Sequence, residues 1–326
     1  MADKIRVAIN GYGNLGRAVE LAVQRSEDME LVAIFTRRDP ESLKTATGRA
    51  VAGDEMAQWV GHVDVCVNCG GSATDLMDQT PEAAVLFNVV DTFDTHARIP
   101  EHFAIVDSIA RDHDHLVASS TGWDPGLFSL NRLLGEAVLP AGETYTFWGP
   151  GLSQGHSDAL RRIEGVAAAV QYTKPVNDVL DRIQAGERME LTTREKHTRE
   201  CWVVLEEGAD QEAIREEIVS MPNYFADYDT TVNFISAEEL ARDHSGMPHG
   251  GIVVRQGETS EGTTQVVSFK LALDSNPEFT GSVAAATARA VARMADDGVR
   301  GAITLFDIPP AKLSPRDPAE LRKSLL

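Results

Sequence analysis

Between Ile5 and Arg38 the apolar positions change period twice, and each change marks an element. Ile5-Arg6-Val7-Ala8-Ile9-Asn10 is the short run that a buried parallel strand needs. Leu15, Ala18, Val19, Ala22 and Val23 then recur at helical spacing, which predicts a helix over about 14–25 with one apolar stripe. Leu31-Val32-Ala33-Ile34-Phe35 returns to a continuous run, a second strand. Residues 40–62 are poorly periodic, with a short helical reading near 52–59. Strands are predicted over 63–68, 86–90 and 115–120, and a helix over about 74–79 that Pro81 interrupts.

After Gly126 the alternation of strand and helix gives way to a mixed region, which sets a domain boundary near Trp123. Thr144 to Trp148 has strand character and opens into a loop dense in glycine and polar residues, Gly149 to Asp158. Ordering such a loop is costly unless it binds something. Ser157 or Asp158 is positioned to cap a helix carrying Ala159, Leu160 and Ile163. Residues 166–173 read as a strand, 176–184 as an amphipathic helix and 211–220 as another helix. The β-branched and aromatic runs at 199–205, 230–235, 251–255 and 264–273 predict one mixed or antiparallel sheet. An alanine-rich helix over 283–294 and a buried strand over 301–306 are built like the opening domain. The fold class is therefore α/β: a Rossmann-type doubly wound parallel sheet formed by 1–122 with 277–326 returning to it, and a second α+β domain, 123–276, carrying a mixed sheet.

Chemistry enters at the first turn. Gly11-Tyr12-Gly13-Asn14-Leu15-Gly16 is G-x-G-x-x-G placed between strand and helix. Gly11 permits the tight turn, Gly13 lets a pyrophosphate approach the backbone, and Gly16 lets the helix pack close to the strand. The helix then offers free N–H groups to phosphate. At the end of the second strand an NAD enzyme usually carries an acidic side chain, whereas this chain has Thr36-Arg37-Arg38. A hydroxyl and two guanidiniums suit a 2'-phosphate, so the cofactor expected is NADP, although Asp39 beside the arginines weighs against it. Three further loops stand at carboxyl ends of predicted parallel strands, where open α/β sheets hold their ligands. They contribute Cys69, Gly70, Gly71 and Ser72; Thr92, Phe93 and Asp94; and Thr121 and Gly122 as further cofactor-binding candidates, followed by Trp123 and Asp124. Asp and Gly also populate loops for backbone reasons alone, and for Asp124 the pattern does not separate the two readings.

Composition narrows the partners. With 30 Lys and Arg against 50 Asp and Glu, the net charge of −20 argues against nucleic acid and anionic membranes. A soluble acidic enzyme and a cytosol of high ionic strength account for that excess equally. No apolar run approaches the roughly 20 residues of a membrane span, and Met1-Ala2-Asp3-Lys4 leads straight to a strand, so a cytoplasmic protein is expected. Three cysteines are too few for a disulfide framework. Cys66 and Cys69 form C-x-x-C, but residues three apart in a strand point to opposite faces, which predicts buried structural thiols and no metal.

Taken together, GYGNLGR at 11–17, STGWDPG at 120–126, FWGPGLSQGHSDALRRI at 147–163 and GMPHGG at 246–251 resemble the meso-diaminopimelate dehydrogenases over essentially the whole chain. Gly70 departs from the pattern, where a larger residue is expected. The resemblance implies a cytoplasmic homodimer that uses NADP to oxidise the D-centre of meso-diaminopimelate to an imine, which water hydrolyses to L-2-amino-6-oxopimelate and ammonia. It implies that Asp94, Trp123, Asp124, Trp148, Gln154 and Gly155 surround the reacting end, with Asp94 and Asp124 the catalytic candidates. Thr173, Arg199, His249 and Asn276 then hold the distal L-configured end. The residue types suit a substrate with two ammonium and two carboxylate groups. Rival readings are another NADP enzyme of this shape, such as a dihydrodipicolinate reductase or an aspartate-semialdehyde dehydrogenase, and a non-catalytic NADP(H) sensor. The semialdehyde enzyme needs a nucleophilic cysteine on a turn, and Cys201 lies in a strand run.

Overall fold

The computed structural model describes residues 4–326, which divide into two compact units. One comprises the chain up to Leu130 together with Pro277–Leu326, the other Asn131–Asn276. The boundary thus falls beyond the expected Trp123, because Trp123 belongs to the packing of the first unit. It pairs with Gly126 as a β-bridge, its carbonyl accepts from Phe128 N–H at 2.7 Å, and the two rings meet edge to face at 5.2 Å.

The first unit is built on seven strands, all parallel: Ile5–Asn10, Met29–Thr36, Ala50–Ala52, Val65–Asn68, Asn88–Asp91, Leu116–Ala118 and Gly301–Ile303. In space Ile5–Asn10 lies between Met29–Thr36 and Val65–Asn68, and Gly301–Ile303 forms the far edge beside Leu116–Ala118. The strand order reverses at Ile5–Asn10, which makes its carboxyl end the crevice of a doubly wound sheet. Helices Asn14–Gln24 and Asn276–Asp296 cover one face with Val19, Val23, Ala284, Ala288 and Val291. Leu76–Leu86 and Ile99–Asp112 contribute Ala83, Ala84, Val106 and Ala110 to a separate core cluster. The C-x-x-C thiols divide as the strand period requires: Cys69 joins the first of these clusters and Cys66 a different one, both buried and free. Burial pushes Cys66 up to about 12 and Cys69 higher still, so neither is a thiolate at neutral pH.

The returning segment is locked in place. A Cβ on Gly281 would meet Ala18 Cβ at 2.7 Å, so the two covering helices touch through glycine and alanine. Arg289, buried, grips Asp28 with two hydrogen bonds of 2.7 and 2.9 Å. Pro81 does not end its helix as expected but sits inside Leu76–Leu86. Burial of Leu76, Thr80, Ala83 and Ala84 outweighs the lost backbone hydrogen bond. The helix Ile99–Asp112 carries a stripe of His102, Phe103, Val106 and Ala110 that the sequence reading passed over.

In the second unit the expected single sheet is two. A mixed four-stranded sheet orders Asp229–Phe234, His197–Leu205, Val166–Pro175 and Gly151–Leu152, with the first pair parallel and the others antiparallel. A separate antiparallel sheet joins Thr263–Leu273, His249–Ser260 and Gly142–Trp148. The helix Gln211–Ser220 matches its expected ends because Asp210 caps it, accepting from Glu212 and Ala213 N–H. The helix after the glycine loop runs Gln154–Leu160, with Ser153 at its N-cap rather than Ser157 or Asp158. Ser157 instead turns inward, donating to Ser153 O and accepting from Gln171 N–H at 2.9 Å.

Candidate functional site

In the first unit, Gly11, Tyr12, Gly13, Thr36, Arg37, Arg38, Cys69, Gly70 and Gly71 line one cavity of about 460 Å³. Asn10, Phe35, Asp75 and Gln79 also line it and were not anticipated. Gly11 has φ +96° and donates its N–H to Phe35 O at 3.0 Å, closing the turn between the two strands. Asn14, Leu15 and Gly16 open the helix, and a Cβ on Gly16 would run into the Gly11 carbonyl oxygen. A Cβ on Gly13 would meet nothing within 4 Å, so the space over this turn is open where a pyrophosphate must approach. Gly70 is tight, since a Cβ there would come within 2.7 Å of Asp75 Cβ.

The cations are held by specific partners. Arg38 donates to Tyr12 O, and its own N–H bonds Thr36 Oγ1 at 3.1 Å. Arg37, 78% exposed at the side chain, reaches Asp75 at 2.7 Å. The Gly71 N–H, with Arg37 beside it, holds the Asp75 carboxyl below its usual range. Tyr12 is anchored by its hydroxyl to Glu20, a buried carboxylate with no cationic partner among the described residues. Burial alone would raise Glu20, but donors from Thr47, Tyr12 and Ala46 outweigh it and hold it below the usual range.

The remaining loops of this unit are tied in a row. Ser72 Oγ accepts from the N–H of Asp94 at 2.9 Å and of Thr95 at 3.1 Å. Asp94 is exposed, Thr92 half-buried and Phe93 buried. Thr121 donates its N–H and its hydroxyl to Asp91 O, at 2.9 and 2.6 Å. Gly122 and Gly126 form a turn so close that a Cβ on Gly126 would overlap the Gly122 backbone, and this turn presents Trp123 and Asp124.

In the second unit the structure gathers another set. Arg199 and Thr173 are register partners, and Arg199 Nη1 donates to Thr173 Oγ1. The guanidinium stacks 3.8 Å from the Tyr228 ring. Arg199 is only 7% exposed, and its Nε has no hydrogen-bond partner. Among the described residues no carboxylate pairs with it, and burial pulls its pKa below the usual value. Thr173 is also the register partner of Gly151, where a Cβ would meet His249 Cγ at 2.5 Å, so glycine is what allows His249 to sit there. Leu152 N–H bonds Pro248 O at 2.8 Å, Asn276 N–H bonds Met247 O at 2.9 Å, and Gln154 Nε2 is 3.3 Å from Met247 Sδ. Gln154 and Gly155 are exposed in the first turn of their helix, and a Cβ on Gly155 would meet nothing within 4 Å.

Trp148 is 37% exposed and stacks on His197 at 5.4 Å, while its N–H donates to His197 Nε2 at 2.8 Å. Burial, with Arg199 and Lys196 adding to it, lowers His197 to about 4; burial and Arg199 lower His156 likewise to about 4. Tyr228 and His197 were missed by sequence reasoning, as was Gln171, wholly buried with neither amide atom partnered.

A glycine turn at the reversal of a parallel sheet, with two arginines after the second strand, defines a dinucleotide-binding protein of the Rossmann class. Comparison with known proteins gives the particular family. The family model of the Diaminopimelic acid dehydrogenase C-terminal domain matches residues 122–275. The chain is 58% identical over 323 residues to a meso-diaminopimelate D-dehydrogenase of Lysinibacillus sphaericus, covering 99% of each chain. It is similar to a Clostridium tetani meso-diaminopimelate dehydrogenase variant, Q154L/T173I/R199M/P248S/H249N/N276S, with diaminopimelate, at TM-score 0.95 and 51% identity over 99% of this chain and 100% of that one. It is also similar to the Corynebacterium glutamicum enzyme in complex with diaminopimelate, at TM-score 0.92 and 44% identity over 99% of both chains. The chain belongs to the meso-diaminopimelate D-dehydrogenase family.

Proposed function

We propose that this chain is an NADP-dependent dehydrogenase that oxidatively deaminates the D-centre of meso-2,6-diaminopimelate to L-2-amino-6-oxopimelate and ammonia. The observation that carries the reading is Arg199, a buried guanidinium without an acidic partner, beside Thr173. A cation kept in such surroundings calls for an external anion, and a planar fork suits a carboxylate. The Clostridium tetani variant was altered at six positions whose original types stand at the same numbers here: Gln154, Thr173, Arg199, Pro248, His249 and Asn276.

On this reading Thr173, Arg199, His249 and Asn276 hold the distal end, and Asp94, Trp123, Asp124, Trp148, Gln154 and Gly155 surround the reacting one. Asp94 and Asp124 orient the reacting ammonium and are the candidates for the one group that takes its proton. The D-centre gives up a hydride and one N–H proton, and water then adds to the imine carbon and displaces ammonia. When bound, NADP supplies the hydride acceptor. The open space over Gly13 and the donors of Arg37 and Arg38 fit its phosphates. A similar engineered D-amino acid dehydrogenase, 43% identical with a TM-score of 0.87, was solved bound to NADP+.

Cytoplasmic location and a homodimer complete the proposal. Among the described residues no helix is long and apolar enough to cross a membrane. The test is steady-state formation of NADPH with meso-diaminopimelate, with light scattering for the oligomer. Absence of turnover with NADP and meso-diaminopimelate would overturn the assignment.

A further inference from the structure

Asp91 ends the strand Asn88–Asp91 and is wholly buried, and its partners, buried as well, come from two loops and one helix. Oδ1 accepts from Phe93 N–H at 3.1 Å, Ser120 N–H at 2.7 Å and Ser119 Oγ at 3.2 Å. Oδ2 accepts from His102 Nε2 at 2.7 Å, and the main-chain oxygen takes both donors of Thr121. One residue therefore ties the loop carrying Asp94 to the loop leading into Trp123 and Asp124. Ser120 stands at φ +58°, a conformation that non-glycine residues rarely hold, and the bond from its N–H to the carboxylate secures it.

His102 comes from the helix Ile99–Asp112 and is also wholly buried. A carboxylate can only accept, so Nε2 carries the proton that bonds it. The ring stacks on Phe93 with centroids 4.2 Å apart, so the histidine grips the Asp94 loop through both the carboxylate and the neighbouring ring. Its Nδ1 is buried without a partner among the described residues, so the ring is held through its bond to Asp91. A satisfied carboxylate in a core is commonplace, but here every donor except His102 belongs to the two loops. Removing it frees both together.

We infer that Asp91 and His102 are a positioning pair for the reaction, holding the loops of Asp94 and Asp124 in fixed register at the carboxyl end of the sheet. The inference rests on the function proposed above, through the roles given to Asp94 and Asp124. Neither residue touches the reacting atoms. The pair acts by orientation, so its loss should lower kcat more than it weakens the hold on the distal end or on NADP, because small misplacements of reacting groups cost far more in rate than in binding.

The test uses the full chain with Asp91→Asn, His102→Phe and His102→Gln. Asn offers one oxygen to the four donors and sets an NH2 against some of them. Phe keeps the stacking on Phe93 but removes the donor, whereas Gln returns a donor to about the Nε2 position. In Asp91→Asn and His102→Phe we expect kcat with meso-diaminopimelate to fall by about tenfold or more, while the NADP dissociation constant from fluorescence titration stays within about threefold. His102→Gln should recover most of the rate. Amide hydrogen exchange of the free protein supplies a readout independent of turnover: segments 92–95 and 119–122 should exchange faster in the first two variants, and segment 36–39 should not. Unchanged exchange in both segments overturns the pair. So does a fall of kcat and NADP affinity in parallel that Gln does not rescue, the pattern of a purely structural residue. Inactivity of the unmodified chain with meso-diaminopimelate would instead defeat the proposed function, and hydrogen exchange would still decide whether the pair holds the loops.

Discussion

Arg199→Met should move stability and activity in opposite directions. In the free protein the guanidinium is desolvated and has no carboxylate among the described residues to offset that. Its compensation is one hydrogen bond to Thr173 and stacking on Tyr228, the latter contributing about 2 kcal/mol when desolvated. Exchanging buried charged groups for apolar ones of similar volume is often neutral or stabilising by about 1–4 kcal/mol, so the melting temperature of the free variant should hold or rise. With meso-diaminopimelate the same change strands a carboxylate in a dry site, a loss of about 2–5 kcal/mol. That is roughly thirtyfold to several thousandfold in kcat/KM. Arg199→Lys keeps the charge but loses the fork, at roughly 1.5–3 kcal/mol, or about ten- to two-hundredfold.

The control is D-alanine, which has no distal carboxylate to lose. NADPH formation should show kcat/KM for meso-diaminopimelate collapsing while that for D-alanine, low at the outset, changes little. Calorimetry of the same preparations supplies the stability. If Arg199→Met lowers the melting temperature by several degrees and depresses both substrates alike, Arg199 is a structural strand residue and the anion argument fails.

Replacing both Arg37 and Arg38 by Ala should raise the KM for NADP by roughly tenfold or more and leave NAD nearly unaffected, since each charge-assisted contact contributes about 1.5–3 kcal/mol; an unaltered NADP to NAD preference would sink the 2'-phosphate assignment. Meso-diaminopimelate should be oxidised and the LL isomer should be a poor substrate at best, because an L-centre at the reacting end directs its hydrogen the wrong way; equal turnover of the two isomers refutes the two-ended reading. His197, lowered to about 4 from 6.5, contributes stability that is complete above pH 6.5 and is lost as pH falls toward 4. Between pH 7 and pH 5 this amounts to roughly 2 kcal/mol, so urea unfolding of His197→Gln should show a flatter slope over that interval than the unmodified chain. Identical slopes would mean that His197 titrates normally.

What could be read from the chain was local. The strand Ile5–Asn10 and the helix after it follow from apolar period and glycine spacing, and Gln211–Ser220 from period together with its Asp210 cap. Where tertiary packing decides, local rules failed. Pro81 signals a helix end, but the buried face around it keeps the helix going. Gly155 signals a loop, but Ser153 starts a helix there. Two sheets could not be told from one, because period records which faces are buried and not which edges pair. The positioning groups were the least legible. Asp91 stands at a strand end and His102 on a helix that the local pattern did not reveal, and only their meeting at 2.7 Å gives either a purpose. Tyr228 follows a short turn and shows its relation to Arg199 only when folded.

The charge pattern around Arg199 limits what the second unit can hold. Arg199 is not the only basic side chain in its neighbourhood, for its charge adds to burial in depressing both His156 and His197 to about 4. Both rings are therefore neutral at physiological pH, and each is already engaged, His156 with Ser153 at 2.8 Å and His197 with the Trp148 N–H. Lys174, next along the strand from Thr173, is neutralised by Glu200 at 2.5 Å. Among the described residues Arg199 is a buried cation that no carboxylate pairs with, so the ligand group that meets it is an anion. A cation would be repelled there. On the function proposed above that anion is the distal carboxylate of diaminopimelate, and Thr173, His249 and Asn276 are the residues proposed to lie beside it.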